Sequence, residues 1–503
     1  MNRLLGIWAA ALATAGFGSW ILFEAVPGLN WGLWTLLAAA GLALSARLGG
    51  RTIAGPLFCT LSLACTLAGG AAVTADPEAH VWLALAVAAL LAVAMLLAAD
   101  PANAQRGLGF LIAAPLVAAT RGLVEAGRRA GELAGLLATE RWRPAVRGSL
   151  VALPIVAVFG SMLANADPIL AAARDGLVEI LERLEFIPRL IFFTTLLTAA
   201  VGAYGASLRA RSAPAGAPPL RAPLLHAGAT ERLIVLGAVA SLFAAFFLLQ
   251  LAYLFGNPGA AAGSGITFAE YARRGFAELT IVATLGALLI LALDRCGERG
   301  RLDGVVRLVE WVLILETELL LVSAFRRVAL YEAAYGFTTA RVYAQAYMVV
   351  MALVLAMLAA EVRGAVDTRR LGRRALTAGA LALLALTYWN HEGWIATQNI
   401  ERAARAGRLD SGYIFWGLSA NAVPAVVAAL DRVPPDLAAG LREGLAKRYG
   451  AQVTVEPCRW FEWNLRHAEA ARALQGAGIS MGRVRARAAG SPCLRLERGH
   501  GRD

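Results

Sequence analysis

The chain reads as an all-α polytopic membrane bundle of about eleven spans with a small C-terminal α-rich soluble domain. Three observations carry that reading. Hydrophobic residues make up 58% of the 503 and charged residues only 16%, with a mean hydropathy of +0.61, far outside the range of soluble globular chains. The apolar segments are continuous over roughly 18–25 residues, the length of a helical span, and do not alternate in the manner of a β-barrel strand. Arginines, finally, concentrate on alternate loops, as the positive-inside rule requires of a bundle that crosses repeatedly.

Taken in order, spans are predicted at 4–23, 31–46, 56–73, 81–99, 148–166, 190–208, 232–254, 276–293, 305–325, 342–361 and 375–389. The first has a small-residue pattern at Ala11, Ala13 and Ala15, which resembles a signal-peptide cleavage site. The apolar run continues past it to Phe23, so an uncleaved span is expected. Arg3, then Arg47 and Arg51, then Arg106 fall on one side, while loops 24–30 and 74–80 carry no arginine. Loops 209–231, 294–304 and 362–374 are again arginine-bearing and go with the cytoplasm.

The segment 107–119 is apolar but short, is interrupted by Pro115, and has arginines on both flanks. It is expected to be re-entrant or interfacial, not crossing. That count puts the N-terminus in the cytoplasm and the C-terminal domain on the outer side, which is the periplasm if the membrane is a bacterial inner membrane. The stretch 121–141 follows as a basic helix on the cytoplasmic face, either touching anionic headgroups or serving as a plain connector. Asp167-Pro168 opens a helix expected to lie on the outer surface, and 212–223 is a Pro/Ala linker between two membrane halves. The domain division is therefore 1–390, transmembrane with its linker near 209–229, and 391–503, extramembrane. In the latter, short helices are expected at 392–406, 419–431, 435–448 and 459–476, with strand-like alternation in Gln452–Pro457. Cys458 and Cys493 pair as a disulfide if this domain is exported, or remain two thiols.

The net charge of +12 reads as inside-facing loops and contact with the bilayer and its anionic lipids; nucleic acid is not an expected partner. An envelope protein could engage 391–503. No phosphate loop, HExxH, CxxC or GxGxxG motif is present, so no cofactor and no metal site is expected.

The polar residues inside the spans hold the candidate chemistry. Glu316 and Glu318 lie in one otherwise mostly apolar run, where a carboxylate costs roughly 2.5–3.5 kcal/mol on the insertion scale. Two residues apart, they point about 200° from each other, so each needs its own partner, whether as an ion or proton path or as a structural ion pair. Gln250 adds a polar group in an earlier span. A second set gathers at the outer ends: Glu270, Tyr271, Arg273, Arg274, Glu278, Arg326, Arg327, Tyr331, Tyr335 and Arg341. Thr267 and Glu270 form a capping box. The rest of the set either binds an anionic headgroup or solute, or anchors the helices at the interface.

At these residues the chain resembles a known family. The strings QLAYLFG (250–256), ITFAEYARRGFAEL (266–279), SAFRRVALYEAAYGFTTARVYA (323–344), NIERA (399–403), LSANAVPAV (418–426) and the pair Trp463-Asn464 are similar to those of bacterial multi-pass membrane proteins filed as domain of unknown function 4173, with 4153 a close sibling. The family pattern differs at Phe337, at Asn390-His391-Glu392 and at Asn421. The resemblance implies an integral membrane protein of unassigned activity.

Three classes of function stay open at this point. One is an envelope-associated sensor or scaffold with an exported domain. Another is an ion- or proton-coupled transporter using Glu316 and Glu318. The third, further off, is an enzyme on a lipid-linked substrate, with Glu270 or Glu332 as its acid.

Overall fold

The computed structural model describes residues 2–51, 55–137, 186–208, 228–255, 276–296, 302–364, 366–407, 409–449, 455–457, 459–479 and 494–496, with isolated positions 53, 152 and 156. The predicted span 148–166, the outer helix opened by Asp167, the linker 212–223, residues Glu270 to Arg274 and both Cys458 and Cys493 lie outside them.

The fold is all-α. Its long helices are α1 (Asn2–Leu22), α2 (Leu29–Leu48), α3 (Gly55–Gly69), α4 (Pro77–Ala99), α5 (Leu108–Leu137), α6 (Phe186–Leu208), α7 (Ala229–Phe255), α8 (Phe276–Cys296), α9 (Asp303–Tyr335), α10 (Thr339–Val362) and α11 (Thr368–Tyr388). Shorter ones follow: α12 (His391–Ala406), α13 (Val423–Ala429), α14 (Pro435–Tyr449) and α15 (Leu465–Gly476). Two three-residue strands, β1 (Val455–Pro457) and β2 (Leu494–Leu496), pair antiparallel with Glu456 opposite Arg495. Among the described residues eight helices are long and apolar enough to cross a membrane. These eight include a segment of α5; the apolar stretch of α8, Leu279–Asp294, is shorter, and α9 and α11 carry several charges.

Contacts divide the chain into two compact units. The first is Met1–Ser212 with Val455–Ala468 and Val484–Glu497; the second is Ala213–Thr454 with Glu469–Arg483 and Arg498–Asp503. The division by packing cuts across the division at residue 390, which was drawn between membrane and extramembrane sequence.

In the first unit, α1 to α6 close around a core that includes Ile7, Leu42, Leu61, Leu96, Ala118 and Tyr204. Tyr204 Oη lies 2.9 Å from Thr14 Oγ1 and donates to the Ala38 carbonyl at 3.3 Å. The buried phenol is thus satisfied within α1, α2 and α6. Helix α6 starts beside the α1–α2 turn, where the Phe23 and Phe192 rings are 5.7 Å apart. It ends beside the α2–α3 turn, where a methyl on Gly49 would sit 3.0 Å from Ser207 O.

The structure corrects the expectation for 107–141. Instead of a short apolar piece followed by a separate surface helix, α5 runs unbroken through Pro115. Proline removes one helical hydrogen bond, but small residues four apart, Ala114, Ala118, Gly122 and Ala126, keep one face against neighbouring helices. A methyl on Gly202 would collide with the main chain of Gly122, the close approach that glycine permits between membrane helices. Two of its basic residues are paired within the helix. Arg129 is 3.0 Å from Glu125, itself 5% exposed, and Arg128 is 2.9 Å from the same carboxylate. The outward side of α5 is apolar, with Ile112, Leu116, Leu123 and Val124 all exposed.

In the second unit, α7 to α11 pack around a core that includes Leu236, Ala283, Leu313, Leu320, Ala324 and Leu355. Helix α9 is its axis: 33 residues, or about 50 Å at 1.5 Å per residue.

Candidate functional site

The polar groups of the second unit converge where α9 turns into α10. Gly336 ends α9 with φ +86, a left-handed conformation that suits glycine. The turn it opens is held through its main chain by side chains from sequence after residue 390. Asn399 of α12 accepts from the Phe337 amide and donates to the Phe337 carbonyl, each at 2.8 Å. Arg402 donates to Ala334 O at 3.1 Å. The Tyr413 hydroxyl accepts from the Thr339 amide at 2.7 Å. Arg341 of α10 closes the ring by donating to Gly336 O.

Beneath this turn, Glu332 is 3% exposed and accepts from Gln345 Nε2 at 2.8 Å. Arg341 lies 4.2 Å over the Tyr331 ring, which stacks on Tyr335 at 4.7 Å. A buried layer supports α12: Glu392, 1% exposed, accepts from the Ser419 amide at 2.9 Å and from its hydroxyl, and Asn390 donates to Asn421 O at 3.0 Å. Asn390, Glu392 and Asn421 are therefore structural members of this layer. Burial pushes the Tyr413 phenol up, while its bonds with Thr339 act in the opposite direction.

A methyl at Gly336 would meet a disallowed φ and run into Asn399 Oδ1 and Arg402 Nη2. Gly336→Ala is expected to destabilise the second unit by at least about 1 kcal/mol and to speed amide exchange at Phe337. Thermal unfolding in detergent with exchange mass spectrometry reads both, and unchanged exchange there would remove the clasp from the account.

The first unit has a counterpart. Asn464, 4% exposed, donates to Ala71 O at 2.9 Å and Thr74 O at 2.7 Å and accepts from the amides of Arg466 and His467. Arg459 donates to Glu24 O at 2.9 Å, the Leu29 amide donates to Trp463 O at 3.2 Å, and Phe461 lies edge-on to Trp20 at 5.5 Å. Residues 459–467 thus grip the α1–α2 and α3–α4 turns, the two short turns that contain no arginine.

Ion pairs cluster toward the other end of the second unit. Arg232 of α7 is 3.0 Å from Glu310 of α9 and 4.0 Å from Asp294 of α8, with side-chain exposures of 7% for Arg232 and 2% for Glu310. Glu361 receives Arg374 at 3.4 Å and Arg370 at 3.7 Å.

Of the candidates from sequence, Tyr331, Tyr335 and Arg341 are brought together. Arg326 and Arg327 lie one to two turns below them on α9, Arg326 exposed and Arg327 half-buried. Glu316 and Glu318 are both half-buried and flank the buried Thr317; neither has an ion-pair partner among the described residues. The side chains of Gln250 and Glu278 fall outside the described set, as do Glu270, Tyr271, Arg273 and Arg274. The sequence reading did not single out Arg232, Glu310, Gln345 or Tyr413, whose partners lie far along the chain. Asn399, Arg402 and Asn464 stood in the family strings without an assigned role.

Fold and site together define an integral, all-α membrane protein whose polar residues chiefly hold helix turns and helix pairs. The chain belongs to the family described as Domain of unknown function (DUF4153), which matches residues 59–429. The match falls on the sibling, 4153. No curated protein and no solved structure matches the chain.

Proposed function

We propose that this chain is a sensor or scaffold associated with the bacterial envelope, an inner-membrane bundle with an exported C-terminal segment. The observation that carries this reading is the double side-chain-to-main-chain clasp of Asn399 on Phe337, around which Arg402 and Tyr413 add theirs. Groups spent on main-chain bonds hold a joint; they are not left free to turn over a substrate. A change in 391–449 would be passed to the α9–α10 turn through these bonds.

The topology behind the proposal has two supports. Residues 459–467 contact the arginine-free turns, which the positive-inside rule puts outside. Ala104, before α5, lines a small hollow with Arg51 and Ala98, while Glu125 within α5 packs on Gly205 near the end of α6. Both points lie toward the end of the first unit that carries Arg47 and Arg51, where Arg128 and Arg129 of α5 also pair with Glu125. The arginine-rich face so defined would meet anionic headgroups.

The alternative, a proton- or ion-coupled transporter, rests on Glu316 and Glu318, which have no ion-pair partner among the described residues. A single preparation separates the two. In a cysteine-free full-length chain, Asp410→Cys should react with a membrane-impermeant maleimide in intact cells, and purified protein in vesicles should pass no protons above empty vesicles under a pH gradient. Labelling that requires lysis would overturn the exported segment. Proton flux abolished by Glu316→Gln would replace the scaffold with the transporter.

A further inference from the structure

Helix α9 turns a second, regular face away from its own unit. Leu308, Val312, Leu315, Leu319, Val322 and Arg326 are spaced by four, three, four, three and four residues, the repeat of a coiled-coil seam. Leu308, Leu315 and Val322 are 64%, 60% and 63% exposed and Val312 is 40% exposed. The opposite side, Glu310, Leu313, Thr317, Leu320 and Ala324, is buried in the unit's core. With Val312, Leu319 and Arg326 as one row of the seam and Leu308, Leu315 and Val322 as the other, Glu316 and Glu318 fall on the two positions that flank it. In paired helices those flanking positions carry the charges that select the partner.

Two buried acids toward the end of this unit have arginine partners. Glu310 is met by Arg232 and Glu361 by Arg374 and Arg370. Among the described residues Glu316 and Glu318 have no ion-pair partner, and one carboxylate oxygen of Glu316 is buried without a hydrogen-bond partner. They sit near the middle of a helix about 50 Å long, where snorkelling to water is least available. A second copy of the same face would set acid against acid across the seam.

We infer that the outward face of α9 is a docking seam for a transmembrane helix of another protein, one with an apolar heptad face and lysine or arginine flanking it near mid-bilayer. Left-handed packing of this kind is common among membrane helices. The seam is separate from the clasps on which the sensor or scaffold reading rests, and it stands or falls without them.

The test uses the full-length chain, donor-labelled in phosphatidylcholine vesicles, with three acceptor-labelled leucine-rich transmembrane peptides. They carry lysine, glutamine or glutamate flanking an otherwise identical seam at its midpoint. Energy transfer should report association with the lysine peptide about tenfold tighter than with the glutamate peptide, a margin of about 1.4 kcal/mol. The preference should vanish in E316Q/E318Q and shift toward the glutamate peptide in Glu318→Lys, with helical circular dichroism retained in both. Equal association of all three peptides would overturn the inference. So would a lysine preference that survives the double glutamine variant, or transfer between two copies of the chain stronger than to any peptide.

Discussion

Arg232→Ala is expected to destabilise the second unit by about 3–5 kcal/mol, the effect of leaving a buried charge without its partner. Arg232 Nη2 reaches Glu310 on α9 and Asp294 at the end of α8, so one guanidinium ties three helices. Removing it strands Glu310, whose side chain is 2% exposed, beside apolar neighbours. Glu310→Ala should be less severe, since the arginine keeps Asp294 at 4.0 Å. Replacing both, as Arg232→Met with Glu310→Leu, should recover most of the loss, because the desolvation of two ions disappears with their attraction. Denaturant titration in mixed micelles, following tryptophan fluorescence, reads all three. A double variant no better than either single one would mean that the pair supplies net attraction well beyond its desolvation cost.

Asn464→Ala is expected to cost about 2–4 kcal/mol in the first unit. The side chain makes four bonds, two given to Ala71 O and Thr74 O and two taken from Arg466 and His467 amides. Each buried group left unsatisfied costs roughly 1–3 kcal/mol. Asn464→Asp should be worse, because it turns a carboxylate oxygen toward two carbonyls where an amide donor stood. Asn103→Ala is a control of the same chemistry at smaller scale: the Asn103 side chain gives one bond, to Leu96 O at 2.7 Å, and should cost about 1 kcal/mol. Amide exchange across 70–76 and the unfolding midpoint together measure the effect, and equal behaviour of N464A and N103A would empty the clasp of its special weight.

The helices were largely legible because their signals are local. Hydropathy over about 18–25 residues marks a span wherever its neighbours go, but starts drawn from it at 81 and 375 fell inside helices that begin at Pro77 and Thr368, where the carboxylates of Asp76 and Asp367 cap amides two or three residues away. Of the C-terminal helices, α12 and α14 were placed within one residue, while α13 and α15 begin four and six residues after their expected starts, behind short 3-10 turns at Ala420–Ala422 and Trp460–Glu462. Helix α5 was misjudged because Pro115 breaks the pattern locally, whereas the stripe Ala114, Ala118, Gly122 and Ala126 gains its meaning only from what it packs on.

Partners were not legible, and the reason is distance along the chain. Glu310 stood in the same apolar run as Glu316 and Glu318, yet its partner is 78 residues away, and Asn464 finds Ala71 at a separation of 393. No local pattern encodes such a pairing. The heptad of α9 was present in the sequence, but a repeat does not say which side of a helix faces its own bundle.

By itself, then, the sequence determined the class of this protein, the helices and the arginine-bearing loops, because burial in a bilayer is decided residue by residue over one turn after another. Only the tertiary structure decided which acids are paired, which turn Asn399 and Asn464 hold, and which face of α9 is left outward. Those depend on where distant helices come to lie, and satisfaction of a buried polar group is settled by its neighbours in space.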